Sequence, residues 1–147
     1  MKNFIKFNFD NSYSKLPDIF KETIDPIFVK KPELIILNKD LASELNLEFS
    51  NVNDDQISSL FAGNLLPKDC SPIAQAYAGH QFGHFTMLGD GRANLIGEHI
   101  TDKKKRYDIQ FKGSGKTSFS RNGDGRAALG PMLREYIISE AMNSLNI

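Results

Sequence analysis

The stretch Tyr107-Asp108-Ile109-Gln110-Phe111-Lys112-Gly113-Ser114-Gly115, with the later run Pro131-Met132-Leu133-Arg134-Glu135, decides the fold. The run Tyr107 to Phe111, in which apolar and polar residues alternate, predicts a strand. A Gly/Ser-rich loop covers Gly113 to Gly125, and a helix is predicted from about Pro131, because proline suits the first helical position. Along that helix Leu133, Ile137, Ala141 and Leu145 keep the i, i+4 spacing of a buried stripe, widened by Ile138 and Met142. Lys112 therefore closes a strand, and Glu135, 23 residues on, sits in the first turns of the helix.

Working outward, Phe85 and Met87 on one side and Leu95 on the other flank the turn-forming run Gly89-Asp90-Gly91-Arg92. With the Lys-rich segment Thr101 to Lys105 before Tyr107, this predicts three antiparallel strands from Phe82 onward. Further upstream, Pro67 and Pro72 break the chain. Two short helices are predicted before them: Asp40 capping Leu41 to Leu47, and Asp54 or Asp55 opening a segment through Phe61 that stops at Gly63. Residues 1 to 39 mix aromatics, Asn, Lys and prolines without a period, as expected of an extended segment laid against the rest. The expected division is an N-terminal extension with short helices over 1–69 and a second portion over 70–147.

Lys+Arg and Asp+Glu both number 18 among 147 residues, so no global field exists to recruit nucleic acid or an anionic membrane surface. Any phosphate site must be local. With 40% hydrophobic and 24% charged residues the composition is that of a folded globular chain. Cys70 is the only cysteine, which excludes an intrachain disulfide and a thiolate zinc site, and the longest apolar runs fall far short of a membrane span. The expected compartment is the cytoplasm.

The string Gly-Asp-Gly-Arg-Ala occurs at 89–93 and again at 123–127. Glycines at a tight turn let backbone N–H groups converge and another group approach without Cβ hindrance, and Arg92 and Arg126 add charge-assisted donors. One copy alone reads as a favoured hairpin turn; two arginine-bearing copies point to an anion. The Lys112/Glu135 spacing resembles the strand lysine and helix glutamate of protein kinases, although a bare pair is also common on solvated surfaces. Gly113-Ser114-Gly115-Lys116-Thr117 imitates the end of a Walker A loop, but Gln110 stands where the first glycine belongs and Ser118 to Gly125 reads as loop, not helix. His80 and His84 stand four apart without a third ligand, and Lys103-Lys104-Lys105-Arg106 reads as a solvated hairpin tip.

Taken together, Ala74 to Gly83, Leu88 to Ala93, Asp108 to Gly115 and Arg121 to Met142 resemble the selenoprotein O family of protein adenylyltransferases, most closely over residues 70–147. The resemblance implies an α+β fold: a protein-kinase-like N-terminal lobe with a twisted antiparallel sheet, one long packed helix and an N-terminal extension. It implies transfer of AMP from ATP, or of UMP in some members, to Ser, Thr or Tyr hydroxyls of protein substrates. By motif position, Gly89, Gly91, Arg92, Lys112, Asp124 and Gly125 would contact ATP, with Glu135 paired to Lys112. The catalytic aspartate and the ligands for Mg²⁺ or Mn²⁺ are expected beyond Ile147, so that this chain alone would be inactive and would expose apolar surface. Ser118 stands where the family usually has proline, and Asn94 where a kinase loop has its third glycine. Two alternatives stay open: a non-catalytic nucleotide-binding or interaction module, and an ordinary phosphoryl-transfer kinase.

Overall fold

Residues 93–99 are buried without interruption, and the strand they form, β4 (Ala93–Ile100), is the axis of the fold. In the computed structural model, which describes residues 5–147, β4 pairs along its length with β5 (Arg106–Lys112), and at Leu95 with Ile73 of β2 (Ile73–Gln81). The sheet runs β1 (Lys21–Thr23), β2, β4, β5, all pairs antiparallel, and β3 (His84–Gly89) folds back on β2 as a hairpin. Together with α1 (Lys39–Glu44), α2 (Asp54–Phe61) and α3 (Leu129–Ser144), this is the α+β fold with a long C-terminal helix that the sequence implied.

The three strands read from sequence correspond to β3, β4 and β5. No local pattern marks β1 or β2. Pro72 precedes β2, and Ala-Gln-Ala-Tyr-Ala-Gly-His-Gln is poor in β-branched residues. The strand forms because Ile73 and Ala74 are buried between β1 and β4, and because the two-residue turn Phe82–Gly83, with φ of 60° and 79°, returns the chain to pair with β3.

The helix caps also fall elsewhere. Asn38 caps α1 by accepting from the Leu41 N–H, and Asn53 caps α2 in a reciprocal box with Gln56. Asp40, Asp54 and Asp55 lie in the first turns, where their charge favours the helix dipole. The capping oxygen belongs to the residue just outside the helix, and an Asn preceding an Asp claims that place. α3 begins two residues ahead of Pro131, which still falls in the first turn, where a missing N–H costs nothing.

The largest difference concerns the packing of α3. None of its residues is buried, and Ile137, Ile138 and Leu145 of the predicted stripe are 62%, 60% and 66% exposed. The face of β5 that carries Tyr107 and Ile109 packs instead against Ile5, Phe7, Leu45, Leu47 and Leu60, from the N-terminal segment and the two short helices. Phe61 meets Phe111 edge-on at 5.9 Å. α3 is tethered by polar links, Lys112 to Glu135 and Asn38 Nδ2 to Glu140 Oε1 at 2.8 Å. An uncovered stripe of this kind drives association. Sedimentation velocity is expected to show oligomers of this chain that the double substitution Ile137→Lys/Ile138→Lys disperses. A monodisperse wild-type monomer would count against it.

The N-terminal segment is anchored by a carboxylate. Glu98, 6% exposed, accepts from the Ser12 hydroxyl (2.7 Å), the Tyr13 N–H (2.6 Å) and the Arg106 guanidinium (3.1 Å), which also grips Asp10 at 2.6 Å. Burial pushes the Glu98 carboxyl up, but the Ser12 and Tyr13 hydrogen bonds and the Arg106 charge outweigh it, and the net direction is below the ordinary glutamate value. A depressed carboxyl stabilises the fold above its unfolded value and loses that contribution as pH falls through the folded one. Amides around residues 8–13 are therefore expected to lose exchange protection on acidification below about pH 4.5. Glu98→Gln is expected to weaken the segment at neutral pH, by about 2 kcal/mol, and to flatten this acid response.

Candidate functional site

A cleft of about 600 Å³ opens between the sheet and the loop that follows β5. Its walls include Gly89, Asp90, Gly91 and Arg92 from the β3–β4 turn, Gln110 and Lys112 from β5, and Phe119 to Arg121 and Gly123 to Arg126 from the loop. Six positions expected from sequence to contact a nucleotide, Gly89, Gly91, Arg92, Lys112, Asp124 and Gly125, thus meet around one space. Lys112 reaches it because β5 pairs Lys112 with Ala93, the first residue after the turn. Its ammonium donates to both oxygens of Glu135, at 2.8 and 2.6 Å, so the strand-to-helix pair is formed. A roomier groove of about 660 Å³ lies elsewhere, along Leu34–Leu37, Leu47, Phe49, Val52 and Ile57. It gathers no arginine and neither glycine turn, and we place the candidate chemistry in the smaller, cationic cleft.

The loop is built by threading rather than by regular structure. Thr117 Oγ1 donates to the Asp90 carbonyl at 2.7 Å, Ser120 Oγ donates to the Gly91 carbonyl, and Gly113 N donates to the Arg92 carbonyl at 2.6 Å. The turn and the loop are laced together over some thirty residues of sequence. The Walker-like run is part of this lacing: Lys116 and Thr117 start no helix. Asn94 is a buried bracket, its amide donating to the Ile24 carbonyl at 2.9 Å while its oxygen accepts from the Ser114 hydroxyl. Ser118 donates to Glu22 Oε2 through both its N–H (2.8 Å) and its hydroxyl (2.7 Å), two bonds a proline could not make.

Two of the glycines also make room for the loop. A Cβ on Gly89 would stand 2.3 Å from the Phe119 ring, and one on Gly91 would stand 2.8 Å from the Phe119 carbonyl oxygen. The space freed at both positions is filled by the loop. Their backbones line the cleft because the loop is allowed to come so close.

The charges are unevenly engaged. Asp90 accepts from the Gln75 N–H at 3.1 Å and from Gln110 at 3.4 Å, yet burial dominates and pushes its carboxyl above the ordinary aspartate value. Asp124 closes a local turn by accepting from the Arg126 N–H at 2.9 Å. Arg126 reaches the carbonyls of Gly113, Ile27 and Phe28 only at 3.5 Å, and the Arg92 side chain makes no hydrogen bond among the described residues. The cleft therefore presents loosely held cations, which is what a multiply charged anion requires. No three His, Cys, Asp or Glu side chains gather to hold a metal among the described residues. His80 and His84 face solvent on the β2–β3 hairpin, and burial pushes the Cys70 thiol up, away from reactivity. Tyr77, Phe119, Ser120 and Arg121 also line the cleft and were not read as site residues. Only their membership of the motif stretches 74–83 and 121–142 pointed to two of them.

An antiparallel sheet whose edge lysine is paired to a glutamate on the following long helix defines a protein-kinase-like N-terminal lobe. Comparison with known proteins narrows the class. The family described as "Protein adenylyltransferase SelO" matches residues 3–147, and the chain belongs to that family. It is 70% identical over 143 residues to the protein nucleotidyltransferase YdiU of Pelagibacter ubique, covering 97% of this chain and 30% of that protein. The namesake from Nitrosococcus oceani is 61% identical over 143 residues, covering 97% and 29%, and that from Syntrophotalea carbinolica 58% over 141 residues, covering 96% and 29%. The chain thus spans about 30% of the length of the curated relatives it matches. No helix among the described residues is long and apolar enough to cross a membrane.

Proposed function

We propose that the cleft binds ATP and that this chain is the ATP-gripping portion, over residues 70–147, of a protein adenylyltransferase. The observation that carries the proposal is the Lys112 ammonium, held 2.6 Å from Glu135 in the same cleft as both glycine turns. Glu135 engages two of the ammonium's three N–H donors and leaves the third for a phosphate oxygen. Arg92 supplies a second cation, and the backbone at Gly89, Gly91, Asp124 and Gly125 supplies the walls. In the transfer, a Ser, Thr or Tyr hydroxyl oxygen of a protein substrate bonds to the α-phosphorus, the bond to the bridging oxygen breaks, and pyrophosphate leaves with the electron pair. The hydroxyl proton passes to a base that we assign to no residue of this chain. We likewise assign no ligand here for Mg²⁺ or Mn²⁺, and the portion by itself binds without transferring.

Seventy per cent identity to a protein named a nucleotidyltransferase favours this reading over phosphoryl transfer or a binding module. The test replaces the matching 143 residues of the Pelagibacter protein with those of this chain and supplies ATP labelled on the α- or on the γ-phosphate. Protein label from the α-phosphate alone is expected. Label from the γ-phosphate alone would make it a kinase, and label from neither, with ATP still bound, a binding module.

A further inference from the structure

Two residues with uncommon backbones meet beside the cleft. Phe82, φ 60°, occupies the first position of the β2–β3 turn, where Asn, Asp or Gly is the relaxed choice, and the residue is 61% exposed. Arg121, φ 52°, lies in the loop after β5 and lines the cleft. A non-glycine residue at positive φ is uncommon, and for a bulky side chain it marks strain maintained by its surroundings. Here the two strained residues face each other: the Arg121 guanidinium carbon stands 5.0 Å from the centroid of the Phe82 ring. The guanidinium makes no hydrogen bond among the described residues, so the ring is its partner. The hairpin contributes Tyr77 and Gly89 to one wall of the cleft, and the loop contributes Phe119 to Arg126 to another. Apart from its base, the hairpin is exposed and pairs only within itself.

We propose that Phe82 and Arg121 form a cation–π latch that fixes the β2–β3 hairpin to the loop, holds the two walls at their separation, and so governs how tightly the cleft retains its ligand. Both are positioning residues. The latch itself is a property of the ligand-free chain, while its effect on retention rests on the ATP reading given above. Cation–π pairs at exposed sites amount to a factor of about two to five in an equilibrium, enough to shift a hairpin between docked and free without unfolding the sheet.

The test measures amide hydrogen exchange over residues 76–89 in the ligand-free chain, and ATP affinity by calorimetry, for Phe82→Leu, Arg121→Gln, the double variant and Phe82→Tyr. Leucine keeps the Cβ and its backbone strain and removes only the ring. Hairpin exchange is expected to quicken about two- to fivefold in each single variant, with no further gain in the double variant and little change in Phe82→Tyr. ATP affinity should fall by a similar factor in Phe82→Leu, although Phe82 does not line the cleft. Unchanged exchange, or additive effects in the double variant, would overturn the latch. Quickened exchange with unaltered ATP affinity would overturn its control of the cleft. Failure of the ATP reading looks different: the wild type would show no ATP binding, or binding that Lys112→Ala leaves intact, whatever the exchange data say.

Discussion

Lys112→Ala is expected to lower ATP affinity by about tenfold to about a hundredfold while leaving the melting temperature almost unchanged. A hydrogen bond to a charged group contributes about 1.5–3 kcal/mol, which converts to that range in a dissociation constant. The folded chain barely needs the side chain. Lys112 and Glu135 are 39% and 51% exposed, and pairs so exposed contribute about 0–1 kcal/mol because water screens them and both side chains lose freedom. The two quantities therefore separate: calorimetry with ATP reads the first, thermal unfolding the second. Glu135→Gln should weaken binding less, since the ammonium remains but is no longer aimed. If Lys112→Ala bound ATP as the wild type does, the cleft would not be the nucleotide site. If it unfolded the chain, the pair would be structural.

Gly125→Ala is expected to be the most destabilising single change at the site, costing about 3 kcal/mol or more and abolishing ATP binding with it. Two independent obstacles coincide. The residue has φ of +73°, and an added Cβ would lie 2.0 Å from the carbonyl carbon and oxygen of Gly115 and 2.3 Å from Lys116 N. All three are backbone atoms, so no rotamer change relieves the contact. The two ends of the loop would have to part, losing the hydrogen bond from Gly115 N to the Gly125 carbonyl at 3.1 Å. Asparagine tolerates positive φ but carries the same Cβ, so Gly125→Asn should be as damaging as Gly125→Ala. At Gly83, φ +79° with nothing within 4 Å of the added atom, asparagine should be nearly harmless. Urea unfolding of the three variants checks this ordering; a mild Gly125→Asn would show that φ alone, not close approach, demands the glycine.

Much of this molecule is local and therefore legible. Alternation marks β5 at Tyr107 to Phe111, the helix period marks α3, and the 23-residue separation brings Lys112 and Glu135 to a strand end and a helix start that do meet. The repeated Gly-Asp-Gly-Arg-Ala strings likewise lie on the walls of one cleft. These features need only short-range periodicity and turn chemistry, which the residues themselves impose.

What the tertiary structure alone decided are the contacts between segments distant in sequence. β2 exists because Ile73 and Ala74 are enclosed by strands on both sides, not because its residues favour a strand. The stripe of α3 has the right period and still lies in solvent, while the N-terminal segment and two short helices cover the apolar face of β5. Gly89 and Gly91 admit a phenylalanine from thirty residues away, and Phe82 finds Arg121 across thirty-nine. Periodicity reports that a face is apolar or that a turn is tight. Which surface covers that face, and which atom fills the space a missing Cβ leaves, depends on loop closure and on competition among segments, and no local pattern encodes either.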